Sequence, residues 1–176
     1  MSMKIIMIYD QIQAGAGTKD DKMVPLSAKK EPLGPAIMME PFLKKVDGKV
    51  IACLYCGNGT YLANPDEVSR KLCAMVKKVN PDVVMCGPAF NFTDYASMAA
   101  RVAYDINQTT DVPAFAAMSV ENEETIKEFK DKLNIVITPK KGGTGLNDAL
   151  NNMCKLAKAL VNKEDVTSLT KEICFK

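Results

Sequence analysis

Two apolar runs in this chain end in nearly the same way. Ala52-Cys53-Leu54-Tyr55-Cys56-Gly57-Asn58 and Val83-Val84-Met85-Cys86-Gly87-Pro88 each place a cysteine where a strand-like stretch meets a glycine turn. The chain has no histidine. Histidine-dependent triads and Cys-His pairs are therefore absent, and any chemistry falls to thiols, carboxylates, amides and backbone N–H groups. A thiol acts as a nucleophile only as its thiolate. Cys56 and Cys86, with Asp10 at the end of the first apolar run, are the candidate catalytic residues. Against this stands the plainer role of a cysteine as a small buried hydrophobe. Asp94, Glu121 and Glu123 are further candidate acids or bases. No cysteine spacing supports a zinc site, so no metal is expected.

Cys53-x-x-Cys56 poses a redox question. Active CxxC pairs place a thiol at a helix N-terminus, whereas here the pair lies along a strand and its end. Residues three apart on a strand point to opposite faces, so the two thiols are expected to be separated. The six cysteines fit a reduced, cytoplasmic protein.

Elements that position these residues follow from hydrophobic periodicity. Residues 4–9, 49–55, 82–86, 113–118 and 133–138 are short, continuously apolar runs, as strands covered on both faces are. Helical stripes alternate with them. Asn64 is placed to cap a helix that has Pro65 at its first position and Glu67 two residues on, and Asn80-Pro81 ends it. Residues 94–107, 122–131 and about 144–161 repeat the scheme, and 35–46 is helical with Pro41 bending or interrupting it. The order predicts an α/β fold. It is a three-layer αβα sandwich with a mostly parallel five-stranded sheet, Rossmann-like or flavodoxin-like. One domain is expected over residues 1–162. A short tail, 163–176, forms a final helical turn or a partner contact.

Composition narrows the partners. The 176 residues are 47% hydrophobic, with 23 basic against 21 acidic residues and a net charge of +2. Charges are mixed along the chain, so no nucleic-acid footprint is expected. No apolar run approaches the roughly 20 residues that span a bilayer, so no membrane partner is expected either.

In an open α/β sheet, ligands bind beyond the carboxyl ends of the strands. The unusual residues of this chain gather there. Residues 10–34, about 25 without periodicity, form a candidate pocket loop containing Gly15 and Gly17. Gly57 and Asn58 follow the second strand, and Asn91 and Tyr95 follow the third. Gly142, Gly143 and Thr144 open the last helix beside Lys140 and Lys141, where free N–H groups suit a carboxylate or phosphate. A tight turn capped by Thr144 is the structural alternative. Gly15-Ala16-Gly17-Thr18-Lys19 lacks phosphate-loop spacing and does not lead into an apolar helix, so nucleotide binding is disfavoured and no cofactor is assigned. With a 2-1-3-4-5 strand order, the first strand separates Cys56 from Cys86 by roughly 9–10 Å, too far for a disulfide.

Tyr9-Asp10-Gln11 with Gly15-Ala16-Gly17, Pro32-Leu33-Gly34-Pro35, Cys56-Gly57-Asn58, Cys86-Gly87-Pro88-Ala89-Phe90-Asn91 with Tyr95, Ala117-Met118 with Glu121-Asn122, and Gly142-Gly143 occur in an order that resembles one family. It is the selenoprotein B subunit family of glycine, sarcosine and betaine reductases, with D-proline reductase related. The resemblance spans about residues 3–161. It implies reductive C–N bond cleavage of a small amino-acid-like substrate, an anaerobic cytoplasmic setting, other reductase subunits as partners, and self-association into a homo-oligomer. In such complexes a selenocysteine attacks the substrate's α-carbon. This chain has none, and Cys56 and Cys86 match family positions other than that nucleophile. A non-catalytic module that binds a small anion or assembles a complex is the alternative, and a flavodoxin-like carrier is a third.

Overall fold

A computed structural model describes residues 2–176. They form the strands β1 (Met3–Tyr9), β2 (Ser27–Lys29), β3 (Gly48–Tyr55), β4 (Val83–Cys86), β5 (Ala114–Met118) and β6 (Ile135–Ile137). The helices are α1 (Pro35–Met38), α2 (Glu40–Lys45), α3 (Asn58–Ala63), α4 (Pro65–Val79), α5 (Thr93–Thr109), α6 (Glu123–Phe129), α7 (Leu146–Val161) and α8 (Thr167–Ile173). One sheet runs in the order β2-β3-β1-β4-β5-β6. Every pairing is parallel except that of β2 with β3.

The five expected strands are present, in the 2-1-3-4-5 order with the sixth strand, β2, added at one edge. Its three residues, Ser27-Ala28-Lys29, are mostly exposed and carry no apolar pattern, so they give no strand signal. β4 and β5 are buried at every position, as the continuous apolar runs require. α3, α4, α5 and α6 pack on one side of the sheet, and α2 and α7 pack on the other.

Local chemistry sets the helix limits. The Asn64 side chain accepts a hydrogen bond from the Glu67 N–H and donates one to the Glu67 carboxylate, a reciprocal cap. Asn80 closes α4 in a left-handed conformation, with φ 54°. The segment 35–46 breaks at Met39 because Pro41 suits only the first turn of a new helix. The last long helix begins at Leu146 with Gly145, not Thr144, as its cap residue. Gly145 has φ 92°, a region closed to threonine at low cost. After residue 162, α8 packs on α7 and β6, Cys174 bridges to Val136, and Ile173 and Cys174 join the core. No helix among the described residues is long and apolar enough to cross a membrane.

Candidate functional site

The strand order fixes one topological switch point. The connection from β1 leads to β3 on one side, and that from β4 leads to β5 on the other. The carboxyl ends of β1 and β4 therefore flank the topological switch. Asp10 follows β1, and Gly87–Asn91 follows β4.

Asp10 is fully buried. Its Oδ1 accepts from the Gln13 N–H at 2.8 Å, whereas its Oδ2 has no partner. Gln13 Nε2 and Asn58 Oδ1 are likewise buried and unpaired. Burial raises the Asp10 pKa above its usual range, opposed by nearby backbone N–H groups and by the positive charge of Lys141. The Lys141 N–H donates to Asn91 Oδ1 at 2.9 Å, and its ammonium lies 5.9 Å from the centre of the Phe92 ring. The fold thus ties Asn91 to the Lys141 backbone and leaves the buried Asp10 within range of the Lys141 charge.

A raised Asp10 pKa has a thermodynamic consequence. The folded chain holds the Asp10 proton more tightly than the unfolded chain, so stability declines as pH rises past the unfolded carboxyl value of about 4. Asp10→Asn preserves an acceptor for Gln13 and removes the buried charge. The variant is expected to be more stable than the parent at pH 7, with an advantage that shrinks toward pH 4. Urea unfolding at the two pH values checks this, and an advantage independent of pH would overturn it.

The thiols are placed differently. Ile8 pairs with Cys86, and Tyr9 pairs with Tyr55, so β1 lies between Cys86 and Cys56. All six cysteines are free and buried. Cys56 Sγ sits 3.6 Å from Met98 Sδ. Burial, with a smaller contribution from the charge of Asp10, pushes its pKa up to about 12. Cys86 is fully enclosed, and burial pushes its thiol up further. Both thiols are neutral in this arrangement.

Several expected ligand donors are already engaged. The N–H groups of Gly57 and Gly59 donate to the carbonyls of Val24 and Lys22, at 2.7 and 2.8 Å. The Asn58 N–H donates to Gln11 Oε1 at 3.0 Å. The long loop after β1 therefore docks onto the turn after β3. The Tyr95 hydroxyl donates to the Ile8 carbonyl at 2.6 Å, pinning α5 to β1. Gly15 and Gly17 shape the loop itself: Gly15 has φ 68°, and Gly17 packs against Asp21. Gly142, with φ 78°, and Gly143 form a turn closed on the Lys140 carbonyl. Thr144 lines a separate cavity of about 380 Å³ with Asp148 and Glu172, whose carboxylates work against an anion there. Asp94, Glu121 and Glu123 line another cavity, away from Asp10.

Gln11, Gln13 and Asn122 are buried polar residues that periodicity does not single out. Their signal is compositional: amides following apolar strands, where a solvated loop would ordinarily leave them exposed.

Residues 2–176 match the family model described as glycine/sarcosine/betaine reductase selenoprotein B. The chain belongs to that family. Among curated relatives, a sarcosine reductase complex component B subunit beta from Peptoclostridium acidaminophilum is 26% identical over 161 residues, covering 92% of this chain and 36% of the relative. A glycine reductase complex component B subunit gamma from Carboxydothermus hydrogenoformans is 29% identical over 154 residues, covering 88% of this chain and 34% of the relative. A betaine reductase complex component B subunit beta from Peptoclostridium acidaminophilum is 22% identical, covering 98% of this chain and 38% of the relative. The chain spans about a third of the length of these selenoprotein B relatives. No solved structure matches it.

Proposed function

We propose that this chain is a ligand-binding unit of a component-B-type reductase, taking a small amino-acid-like molecule at the crevice between β1 and β4. The observation that carries this reading is the buried Asp10 carboxylate, with one oxygen unpaired, in the field of Lys141 at the switch point. A zwitterion presents the complementary pair of charges. Lys141 meets the carboxylate, Asp10 faces the amine, and Asn91 holds the Lys141 loop in register. Gly15, Gly17, Gly57, Asn58, Tyr95, Gly142, Gly143 and Thr144 serve this reading as scaffold, through turns and backbone ties, rather than as direct contacts.

Binding is favoured over bond cleavage by this chain alone. A deeply buried neutral thiol is a poor nucleophile, so Cys56 and Cys86 act here as the apolar floor of the crevice. Reductive cleavage then belongs to an assembly with other reductase subunits in an anaerobic cytoplasm. The curated relatives, each named as a component of a reductase complex, support the assembly with other subunits.

Calorimetric titration with glycine, sarcosine and betaine tests the reading. At least one is expected to bind the parent, and Lys141→Ala to weaken it about 10- to 100-fold, the worth of one charged hydrogen bond. Lys19→Ala, on an exposed loop, is the control. Equal affinity in parent and Lys141→Ala, or binding of none of the three, would overturn it.

A further inference from the structure

β2 covers only part of its neighbour. It pairs with Cys53, Leu54 and Tyr55, at the end of the eight-residue β3. Along Gly48–Ala52 the side of β3 away from β1 meets no other strand. Among the described residues, no backbone group of that stretch is hydrogen-bonded outside the pairing with β1. An open sheet edge is a row of unpaired N–H and C=O groups, and its complement is another extended chain.

The two faces beside this edge differ. A Cβ on Gly48 would meet the Leu43 side chain, so Gly48 and, two residues on, Val50 face α2. On that face a cavity of about 330 Å³ has Pro32, Ala36, Ile37, Leu43 and Val50 in its wall. Ile37 is 59% exposed and its neighbour Met38 51%, two large apolar side chains left uncovered. Lys49 points to the opposite face by strand alternation, and it stands beside Lys4 in the β1–β3 register. Both lysines are exposed. Among the described residues, the ion pairs within 4 Å join Glu40 to Lys44, Glu67 to Lys71, and Arg101 to Asp66 and Asp105, so neither lysine is neutralised. A strand added at this edge would turn alternate side chains toward the apolar cavity and toward the lysine pair.

We propose that the Gly48–Ala52 edge of β3 receives an extended segment of a different protein chain, in which apolar residues alternate with acidic ones. Main-chain hydrogen bonds to the open edge supply the affinity. The apolar side chains meet Ile37 and Val50, and the carboxylates meet Lys4 and Lys49. A lysine on an open edge, with the register shift of the β1–β3 pair close by, also guards against indiscriminate pairing. That guard rejects a second copy of this chain, because a two-fold pairing of the same edges would set one lysine pair against the other. It does not reject an acidic strand. The proposal stands apart from the reading of Asp10 and Lys141, whose residues it does not use.

The experiment titrates the isotope-labelled protein with a Glu-Val-Glu-Val-Glu peptide and its Lys-Val-Lys-Val-Lys counterpart. Backbone amide shifts and amide hydrogen exchange are read at residues 48–52. The expected result is saturable shifts there with the acidic peptide only, together with slowed exchange at alternate amides of the stretch. Affinity is expected to fall about 3- to 10-fold in the K4Q/K49Q variant, the worth of two exposed ion pairs. Both lysines are exposed, and the amide spectrum reports directly that the variant remains folded. No saturable binding, shifts without slowed exchange, equal binding of the basic peptide, or unchanged affinity in the variant would overturn the proposal. A concentration-dependent dimer in sedimentation, with the same amides protected in the absence of peptide, would overturn it in favour of a contact between copies.

Discussion

Iodoacetamide applied to the folded protein at pH 8 is expected to leave Cys56 and Cys86 essentially unmodified while the urea-unfolded chain reacts at all six cysteines. A thiol pushed up to about 12 is in its thiolate form to roughly one part in ten thousand at pH 8. An ordinary thiol of pKa about 8.5 is thiolate to roughly a quarter. The native reaction of Cys56 is therefore expected to be slower by at least about a hundredfold, with Cys86 slower still, because it is completely enclosed between neighbouring strands. Mass spectrometry of timed, quenched samples measures both. Alkylation of either at an ordinary thiol rate in the native state would reinstate a nucleophilic thiol at the strand ends.

The second large effect concerns the loop that covers the turn after β3. A Cβ on Gly57 would fall on the Lys22 carbonyl oxygen, far inside contact distance, with the Val24 backbone nitrogen also too close at 2.6 Å. The Gly57 backbone is ordinary, with φ −64°, so space alone excludes a side chain. Gly57→Ala is expected to displace the 22–24 segment, break its hydrogen bonds to Gly57 and Gly59, and cost at least about 2 kcal/mol. Gly15→Ala is the comparison: φ 68° with open space around the Cβ limits its cost to about 1–2 kcal/mol of backbone strain. Urea unfolding ranks the two, and faster proteolysis within residues 18–26 should accompany Gly57→Ala alone. A Gly57→Ala protein as stable as Gly15→Ala would show that the loop is not held by this contact.

The legible part of the fold was the part governed by periodicity and caps. β1, β3, β4, β5 and β6 are read from apolar runs because both faces of each are covered. The limits of α4 are read from Asn64, Pro65 and Asn80-Pro81 because capping is local chemistry. β2 was not legible, since its pairing comes from its position beside β3 and not from its residues. α3 was not legible either: Asn58-Gly59-Thr60 reads as a turn, and its N–H groups are held in place by Gln11 and Lys22 from a distant segment.

The sequence by itself determined the α/β class, the strand ends at which polar residues gather, the separation of Cys56 from Cys86 given the strand order, and the family resemblance carried by ordered glycine, asparagine and cysteine positions. These depend on patterns of two to four residues or on motifs kept in order along the chain. Only the tertiary structure decided which of those strand-end groups remain available. It tied Asn91 to the Lys141 N–H, left Asp10 buried within range of the Lys141 charge, spent the Gly57, Asn58 and Tyr95 donors on backbone and side-chain partners, and sent Asp94, Glu121 and Glu123 to a separate cavity. It also raised the thiol pKa values, because desolvation depends on what surrounds a sulfur in three dimensions and leaves no mark on its neighbours in sequence.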